Sequence, residues 1–406
     1  MIGRRAIPVS VVLPAVVVGA AAIRAAIRLV AGEQAFLSDG YTFYADIASN
    51  FLARDGLCYA PDSGCAIRMP LYPVLIAAFL VTGGVFPFLI LFQSIIGGAI
   101  AALAWWIGRE LFDARVGVLA AIAVAVNPYA VIHDTAMQDT VVLNALIAAA
   151  IALLLRSRRS ETDLVPLAAG FALAFAVLTS ARIALLVPCA LAWSLTGNGA
   201  RPARIRRMVL IAAPILLLVG GWMWRNHLRV GAPVLTTEGG EALFFGNGPL
   251  TFLHYPDRSI DLTAEETHRL SELDYVALER LQGRDVERDA FYRELAMNFI
   301  RSHPGEVMAG AARKLWIVAS GRLSPARDAV TQLVYQVTFV AVHVLALAAA
   351  WWARSARHRG HALVALLFLS FALTTAVFWA HTSHKSYLDP FLFIYAASVL
   401  PMVKRA

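Results

Sequence analysis

Charge is scarce in this chain. Asp, Glu, Lys and Arg make up 15% of its 406 residues, against about 25% in soluble domains. Lysine is almost missing: Lys314, Lys385 and Lys404 stand alone among many arginines. Cysteine is limited to Cys58, Cys65 and Cys189, with no metal-type spacing, which excludes a cysteine zinc site and a disulfide-stapled scaffold. No phosphate-cradling Gly-rich loop or dinucleotide fingerprint occurs, so no nucleotide-sugar site is visible. No internal repeat of the transporter kind occurs either.

Apolar residues fill the space that charge leaves. They amount to 59% of the chain, and the mean hydropathy is +0.66. A multi-span membrane protein is the class that fits. The net charge of +8 does not point to nucleic acid, because the basic residues sit in short clusters beside apolar runs. The clusters are Arg4/Arg5, Arg109/Arg115, Arg156/Arg158/Arg159, Arg201/Arg204/Arg206/Arg207, Arg354/Arg357/Arg359 and Lys404/Arg405. Such clusters mark cytoplasmic loops. Arg4/Arg5 before an apolar run could imitate a signal peptide. The run passes 20 residues and ends at Arg24 and Arg28 without a cleavage site, so a signal anchor is expected.

Runs of spanning length lie near 7–29, 86–108, 115–128, 138–155, 163–180, 182–197, 207–225, 331–353, 361–380 and 386–403. The piece 71–83 is short for a bilayer that needs about 20 residues. If it crosses, basic clusters fall outside. If it does not, all six share the side of the N-terminus. It is therefore read as juxtamembrane or re-entrant. The expected fold is an all-α polytopic membrane protein with about ten transmembrane helices and both termini cytoplasmic. Residues 1–226 form an N-terminal membrane module with external loops at 31–85 and 128–137. Residues 227–330 form a large external helical region, and 331–406 a C-terminal three-helix membrane segment. The region 227–330 holds 15 of the 27 acidic residues. Within it, apolar spacing predicts helices over 264–282 (Leu270, Leu273, Val276, Ala277, Leu281) and 286–302 (Phe291, Leu295, Phe299, Ile300), the second closed by Pro304.

Polar side chains gather in the expected external segments. The stretch SDGYTFYADIASNFLARDGLCYAPDSGCAIRMPLYP over 38–73 carries Asp39, Asp46, Tyr41, Phe43, Tyr44 and Arg68. Ser-Asp-Gly before an apolar-periodic run also reads as a helix N-cap, with the helix starting at Tyr41. Cys58 and Cys65 share this loop with six residues between them; in an oxidising space they can pair, and two free thiols is the other reading. Residues 127–144 bring His133, Asp134, Gln138 and Asp139 after a Pro-terminated run, where acid at a helix start also suits the macrodipole. His133 with Asp134 offers a weak metal pair. Arg182, Arg225 with Asn226, and Lys385 with Tyr387 stand at expected outer span ends, where snorkelling to headgroups is the plain alternative. Gly239, Gly240, Gly246, Asn247 and Gly248 mark a tight turn.

Taken in order, these motifs resemble the polyprenyl-phosphate-sugar-dependent glycosyltransferases of the GT-C superfamily, the family 39 type that includes protein O-mannosyltransferases and lipid A aminoarabinose transferases. The matching segments are the acidic first loop, Arg-x-Pro-Leu-Tyr-Pro, the acid after Asn127-Pro128, Trp-x-x-Arg-Asn around Arg225 and the Lys385-Ser-Tyr387-x-x-Pro exit. LTSAR at 178–182 resembles the family's Leu-Thr-Arg-Pro, with Ser180 and Ala181 inserted and no proline. The resemblance implies a GT-C-type fold and sugar transfer from a polyprenyl phosphate to an envelope glycan, lipid or protein at the outer face of a bacterial plasma membrane, with inversion. It implies Asp39 as general base with Asp139 beside it. Arg182, Arg225, Lys385 and Arg68 are expected on the lipid phosphate. Tyr41, Tyr44, Asp46, His133, Asp134, Gln138, Asn226, Asn247 and Tyr387 are expected beside the site or against the acceptor. No cofactor is fixed, and a divalent metal stays open. Membrane lipids are partners; nucleic acid is not. The alternatives are a transporter or flippase of lipid-linked sugars and a non-catalytic scaffold homologue.

Overall fold

The computed structural model describes residues 9–60, 63–83, 85–197, 199–270, 279–353 and 360–403, and these are helical without a strand. Six helices are long and apolar enough to cross a bilayer: α1 (Val9–Ser38), α4 (Val85–Leu111), α7 (Thr140–Ser157), α10 (Arg201–Val230), α15 (Ala329–Ala353) and α16 (Gly360–Val377). The shorter apolar helices α5 (Ala114–Val126), α8 (Leu164–Thr179), α9 (Leu186–Leu195) and α18 (Asp389–Val403) lie along the remaining apolar runs. A multi-pass all-α membrane protein is the result. The short piece after Pro70 is α3 (Leu71–Val81), 11 residues and about 16 Å long at 1.5 Å per residue, too short to cross alone.

Local chemistry sets the helix ends. Asp113 caps α5 by accepting from the Arg115 and Val116 amides at 2.9 and 3.0 Å. Asn127 accepts from the Tyr129 amide at 3.2 Å, and Pro128 opens the short α6 (Pro128–His133). α1 runs past the expected end at 29 to Ser38, and Gly32 kinks it with a left-handed φ of 84°. α4 and α5 pack closely because Gly108 meets Gly117, where a Cβ on the former would lie 3.0 Å from the other's Cα.

Basic residues converge on one end of the bundle. Arg159 pairs with Glu110 at 2.7 Å, Arg158 bonds the Thr196 hydroxyl at 2.6 Å, and Arg206 pairs with Asp163. The clusters around Arg109, Arg158 and Arg204 thus share one side, as the sequence predicts. Arg4/Arg5, Arg354/Arg357/Arg359 and Lys404/Arg405 lie outside the described residues. Asp139 precedes α7 and Ser157 ends it, so Asp139 and the arginines at 156–159 lie about 27 Å apart.

Helix α10 continues through Asn226 to Val230 and stops at left-handed Gly231. Cys58 and Cys65 are disulfide-bonded, which settles the choice left open by sequence. The amphipathic expectation over 286–302 matches α13 (Asp285–Ser302). The one over 264–282 is met in part: α12 (Ile260–Leu270) covers its first residues through Leu270; Leu273, Val276 and Ala277 lie outside the described residues, and Leu281 is in a turn rather than on a helix. Two expectations are corrected. Pro304 does not only close a helix: it opens α14 (Pro304–Ala319), since proline at N1 has no amide to waste. Gly239 and Gly240 are not in a turn but in α11 (Gly239–Gly246). Gly240 is needed for close approach: its amide donates to Asp289 Oδ1 at 2.5 Å, and a Cβ would overlap the Asp289 carbonyl on α13.

Candidate functional site

Two loops build the end of the bundle opposite the arginine clusters. The first leaves α1 at Ser38. Gly40 lies against Met137, where a Cβ would come within 2.7 Å of the Met137 amide, and the Tyr41 amide donates to the Met137 carbonyl at 2.9 Å. The second loop is gripped from below by Gln93 of α4, whose amide donates to the Ala136 and Gln138 carbonyls at 3.0 and 3.3 Å. Buried Gln93 was not singled out in the sequence; a polar amide in an apolar run is its signal.

Asp139 ends the second loop. Its side chain does not cap α7. It is buried, it is hydrogen-bonded by the Tyr44 hydroxyl, and Arg182 and Arg68 are its cationic neighbours. Burial pushes its carboxyl up, and the two arginines pull the other way. Tyr44 is fixed edge-on to Tyr72 of α3, ring centres 4.9 Å apart, in α2 (Phe43–Leu52). Tyr41 stands at the same recess, with Asp261, Arg182, Asp139 and Arg68 as its charged neighbours. Arg68 lies over the Phe43 ring, 4.5 Å from its centre, and pairs with Glu238. Arg182 follows α8 on a 3-10 turn (Ala181–Ile183). Its Nε donates to Ser180 Oγ at 3.0 Å, while Nη1 is buried without a hydrogen-bond partner among the described residues.

Asp39 has a separate neighbour. Its carboxylate pairs with Arg28 Nη1 at 2.9 Å and stays 25% exposed. It does not cap a helix: α2 begins at Phe43 with Thr42 at its N-cap, so the expected start at Tyr41 is two residues early. Arg28 also donates to the Ile132 carbonyl at 2.6 Å and to Thr135 Oγ1 at 3.2 Å. One turn earlier on the same face, Arg24 is buried against Asp134 at 2.8 Å. Arg24 and Arg28, read from sequence as the end of an anchor, instead clamp the second loop. Charges four apart inside an apolar run were the available signal.

His133 stacks on Tyr129, ring centres 4.2 Å apart, and its Nδ1 lies 3.4 Å from the Gln138 amide. Burial and Arg327 hold its imidazole down to about 4, against the pull of Asp39. The His133–Asp134 metal pair is corrected: Asp134 turns into the bundle toward Arg24. Among the described residues no group of three or more His, Cys, Asp or Glu side chains is placed as metal ligands would be.

The remaining candidates lie apart from this recess or in its walls. Arg225 donates to the Cys65 carbonyl and to Asn226 Oδ1 at 2.9 Å, over the Trp222 ring. It holds the disulfide loop, and the structure does not bring it to Asp139. Asn226 pins the turn after α10 through the Val234 carbonyl at 2.8 Å. Asn247 bonds the Val377 carbonyl at 2.6 Å. Lys385 is buried, with Nζ 3.2 Å from the centre of the Phe339 ring and no hydrogen-bond partner among the described residues. Asp46 is exposed on α2. Tyr387 is buried edge-on to Phe371.

The wall facing Arg182 is 378–388, and sequence reading saw only Lys385 and Tyr387 in it. Buried Lys314 of α14 ties it down, donating to the Phe378 and Gly246 carbonyls at 2.7 and 2.9 Å. The Tyr255 hydroxyl donates to the Ala380 carbonyl at 2.8 Å. His381 is locked between Ser324 Oγ, 2.9 Å from Nδ1, and the Ile260 amide, 3.4 Å from Nε2.

The family model described as dolichyl-phosphate-mannose-protein mannosyltransferase matches residues 68–224. Among solved structures, the oligosaccharyltransferase of Archaeoglobus fulgidus in its apo form superposes with a TM-score of 0.59 at 15% identity, over 97% of this chain and 50% of that one. The same organism's archaeal oligosaccharyltransferase AglB, in complex with an inhibitory peptide and a dolichol-phosphate, gives 0.56 at 15% identity over the same shares, 97% and 50%. This chain therefore spans about half the length of the solved structures it resembles. No curated protein matches it in sequence. The matched segment begins at Arg68 and contains Asp139 and Arg182, and the chain shares its fold with these oligosaccharyltransferase structures.

Proposed function

We propose that the chain transfers a sugar from a polyprenyl phosphate to an envelope glycan, lipid or protein acceptor at the outer face of a bacterial plasma membrane, inverting the anomeric carbon. The observation that carries this reading is the recess of Asp139, Tyr41 and Tyr44 with Arg182 and Arg68, in which Arg182 keeps a buried donor without a partner. A buried guanidinium donor is costly unless a ligand satisfies it, and a phosphate fits its geometry. The dolichol-phosphate bound to the superposed AglB supports a lipid-phosphate donor.

In the reaction the acceptor hydroxyl attacks the anomeric carbon, the bond from that carbon to the phosphate oxygen breaks, and the lipid phosphate leaves. Arg182 and Arg68 meet the charge on the departing phosphate. Asp39 takes the acceptor's proton; Arg28 keeps its carboxylate oriented, and a quarter of the side chain stays exposed and reachable. Asp139, hydrogen-bonded by Tyr44, orients the sugar or acceptor. Arg225 and Lys385 support the surrounding loops.

Arg182→Ala removes a charge-assisted contact worth about 1.5–3 kcal/mol, so transfer from a polyprenyl-phosphate sugar should fall roughly 10- to 150-fold, mainly through donor KM. Unchanged donor kinetics would remove Arg182 from the phosphate. For sidedness, reporter fusions after residue 110 should read cytoplasmic and those after residue 260 external; reversal at either position overturns the orientation. A transporter would instead leave envelope glycans of a deletion strain lacking a whole lipid-linked unit rather than one sugar, which mass spectrometry separates.

A further inference from the structure

His384 sits in the same wall as His381 but differs from it in one respect. His381 uses both ring nitrogens. In His384, Nδ1 is buried with no hydrogen-bond partner among the described residues. The ring is nevertheless fixed. It bonds the Trp379 backbone, its centre lies 5.0 Å from the Trp379 ring, and it lies 5.7 Å from His381. In the tautomer that carries its proton on Nε2, Nδ1 presents a lone pair. Burial, with Arg182 and His381 beside it, holds the imidazole well below its ordinary value. A ring kept neutral cannot serve as a cation for phosphate.

The recess therefore holds two buried, unpartnered polar atoms of opposite kind: the Arg182 Nη1 donor and the His384 Nδ1 acceptor. An anion satisfies the first. Only an O–H or N–H satisfies the second, and a phosphate diester offers neither. A sugar phosphate offers both, with the ring hydroxyls adjacent to the phosphate.

We propose that His384 is a binding and specificity residue whose Nδ1 accepts a hydrogen bond from a hydroxyl of the donor sugar while Arg182 holds the linked phosphate. This rests on the lipid-phosphate donor reading above. It accounts for a second histidine in the wall, which the transfer chemistry leaves without a role.

The test compares two kinds of probe on the full chain in nanodiscs: farnesyl phosphate, and farnesyl phosphate carrying mannose, glucose or arabinose. Wild type should bind at least one glycosylated probe more tightly than farnesyl phosphate. His384→Phe leaves the sugar hydroxyl unpaired and should weaken that probe about tenfold, with farnesyl phosphate unchanged within twofold. His384→Asn places an acceptor oxygen where Nδ1 stood and should recover most of the loss. Equal binding of every probe by wild type and His384→Phe overturns the proposal and leaves the donor reading standing. An equal loss of both kinds of probe in His384→Phe also overturns it, since that marks packing. If wild type binds no lipid phosphate at all, the donor reading falls, and this inference with it.

Discussion

Asp39→Asn is expected to lower turnover by about 10²–10⁴-fold with donor affinity largely kept. Asparagine has the shape of the carboxylate and can still accept from Arg28, which donates to Asp39 at 2.9 Å. It cannot take a proton. The loop geometry should survive, because Gly40 and Tyr41 are held to Met137 through backbone contacts that the side chain does not touch. Asp139→Asn should behave differently. Asp139 is buried beside Arg182 and Arg68, so loss of its charge removes an anion next to the guanidinium groups expected on the phosphate, and donor KM should move along with kcat. Single-turnover kinetics with a polyprenyl-phosphate sugar separate the two signatures. Near-normal turnover in Asp39→Asn would reduce Asp39 to a fastener for the end of α1 and pass the role of base to Asp139, a buried carboxylate of the recess.

The membrane helices were legible because length and apolarity are local properties. The ends at Ser157 and Ser302 follow from residues within a turn of them, and α3 announced itself by being too short. The polar position before α7 was legible too, since it follows Asn127-Pro128 and precedes an apolar run, although Gln138 and Asp134 fitted it as well as Asp139. What escaped was pairing across long separations. Arg24 meets a partner 110 residues away, and no local pattern says which loop will return to it. The glycines at 239 and 240 looked like a turn because their reason, the Asp289 backbone, lies on another helix. His384 was overlooked beside Lys385 because a lysine near an expected phosphate draws the eye. The fold instead seats the ammonium on the Phe339 ring and leaves the histidine nitrogen unpaired.

The largest stability effect should come from Arg24, deep in α1. Its guanidinium pairs with Asp134 at 2.8 Å, and both side chains are nearly inaccessible. It also donates to the Ala125 and Val124 carbonyls at 3.1 and 3.2 Å. Those belong to the last turn of α5, which cannot satisfy them within its own helix. Gly97 on α4 makes the room, since a Cβ there would collide with the Arg24 side chain. Arg24→Met removes the cation and leaves a buried carboxylate uncompensated, which costs about 3–5 kcal/mol. Thermal unfolding of the purified protein in detergent should show a large downward shift. The double variant Arg24→Met with Asp134→Leu removes both charges at once and should recover most of that loss, because a buried pair contributes little net stability against a well-packed apolar replacement. A residue of about 1–2 kcal/mol should remain from the two uncapped carbonyls. Asp134→Leu alone should be as damaging as Arg24→Met, since it strands the guanidinium instead. If Arg24→Met costs less than about 1 kcal/mol, the pair is reached by water and the clamp between α1 and the second loop carries no stability. If the double variant is as unstable as the singles, the cost lies in packing against Gly97 and not in the stranded charge.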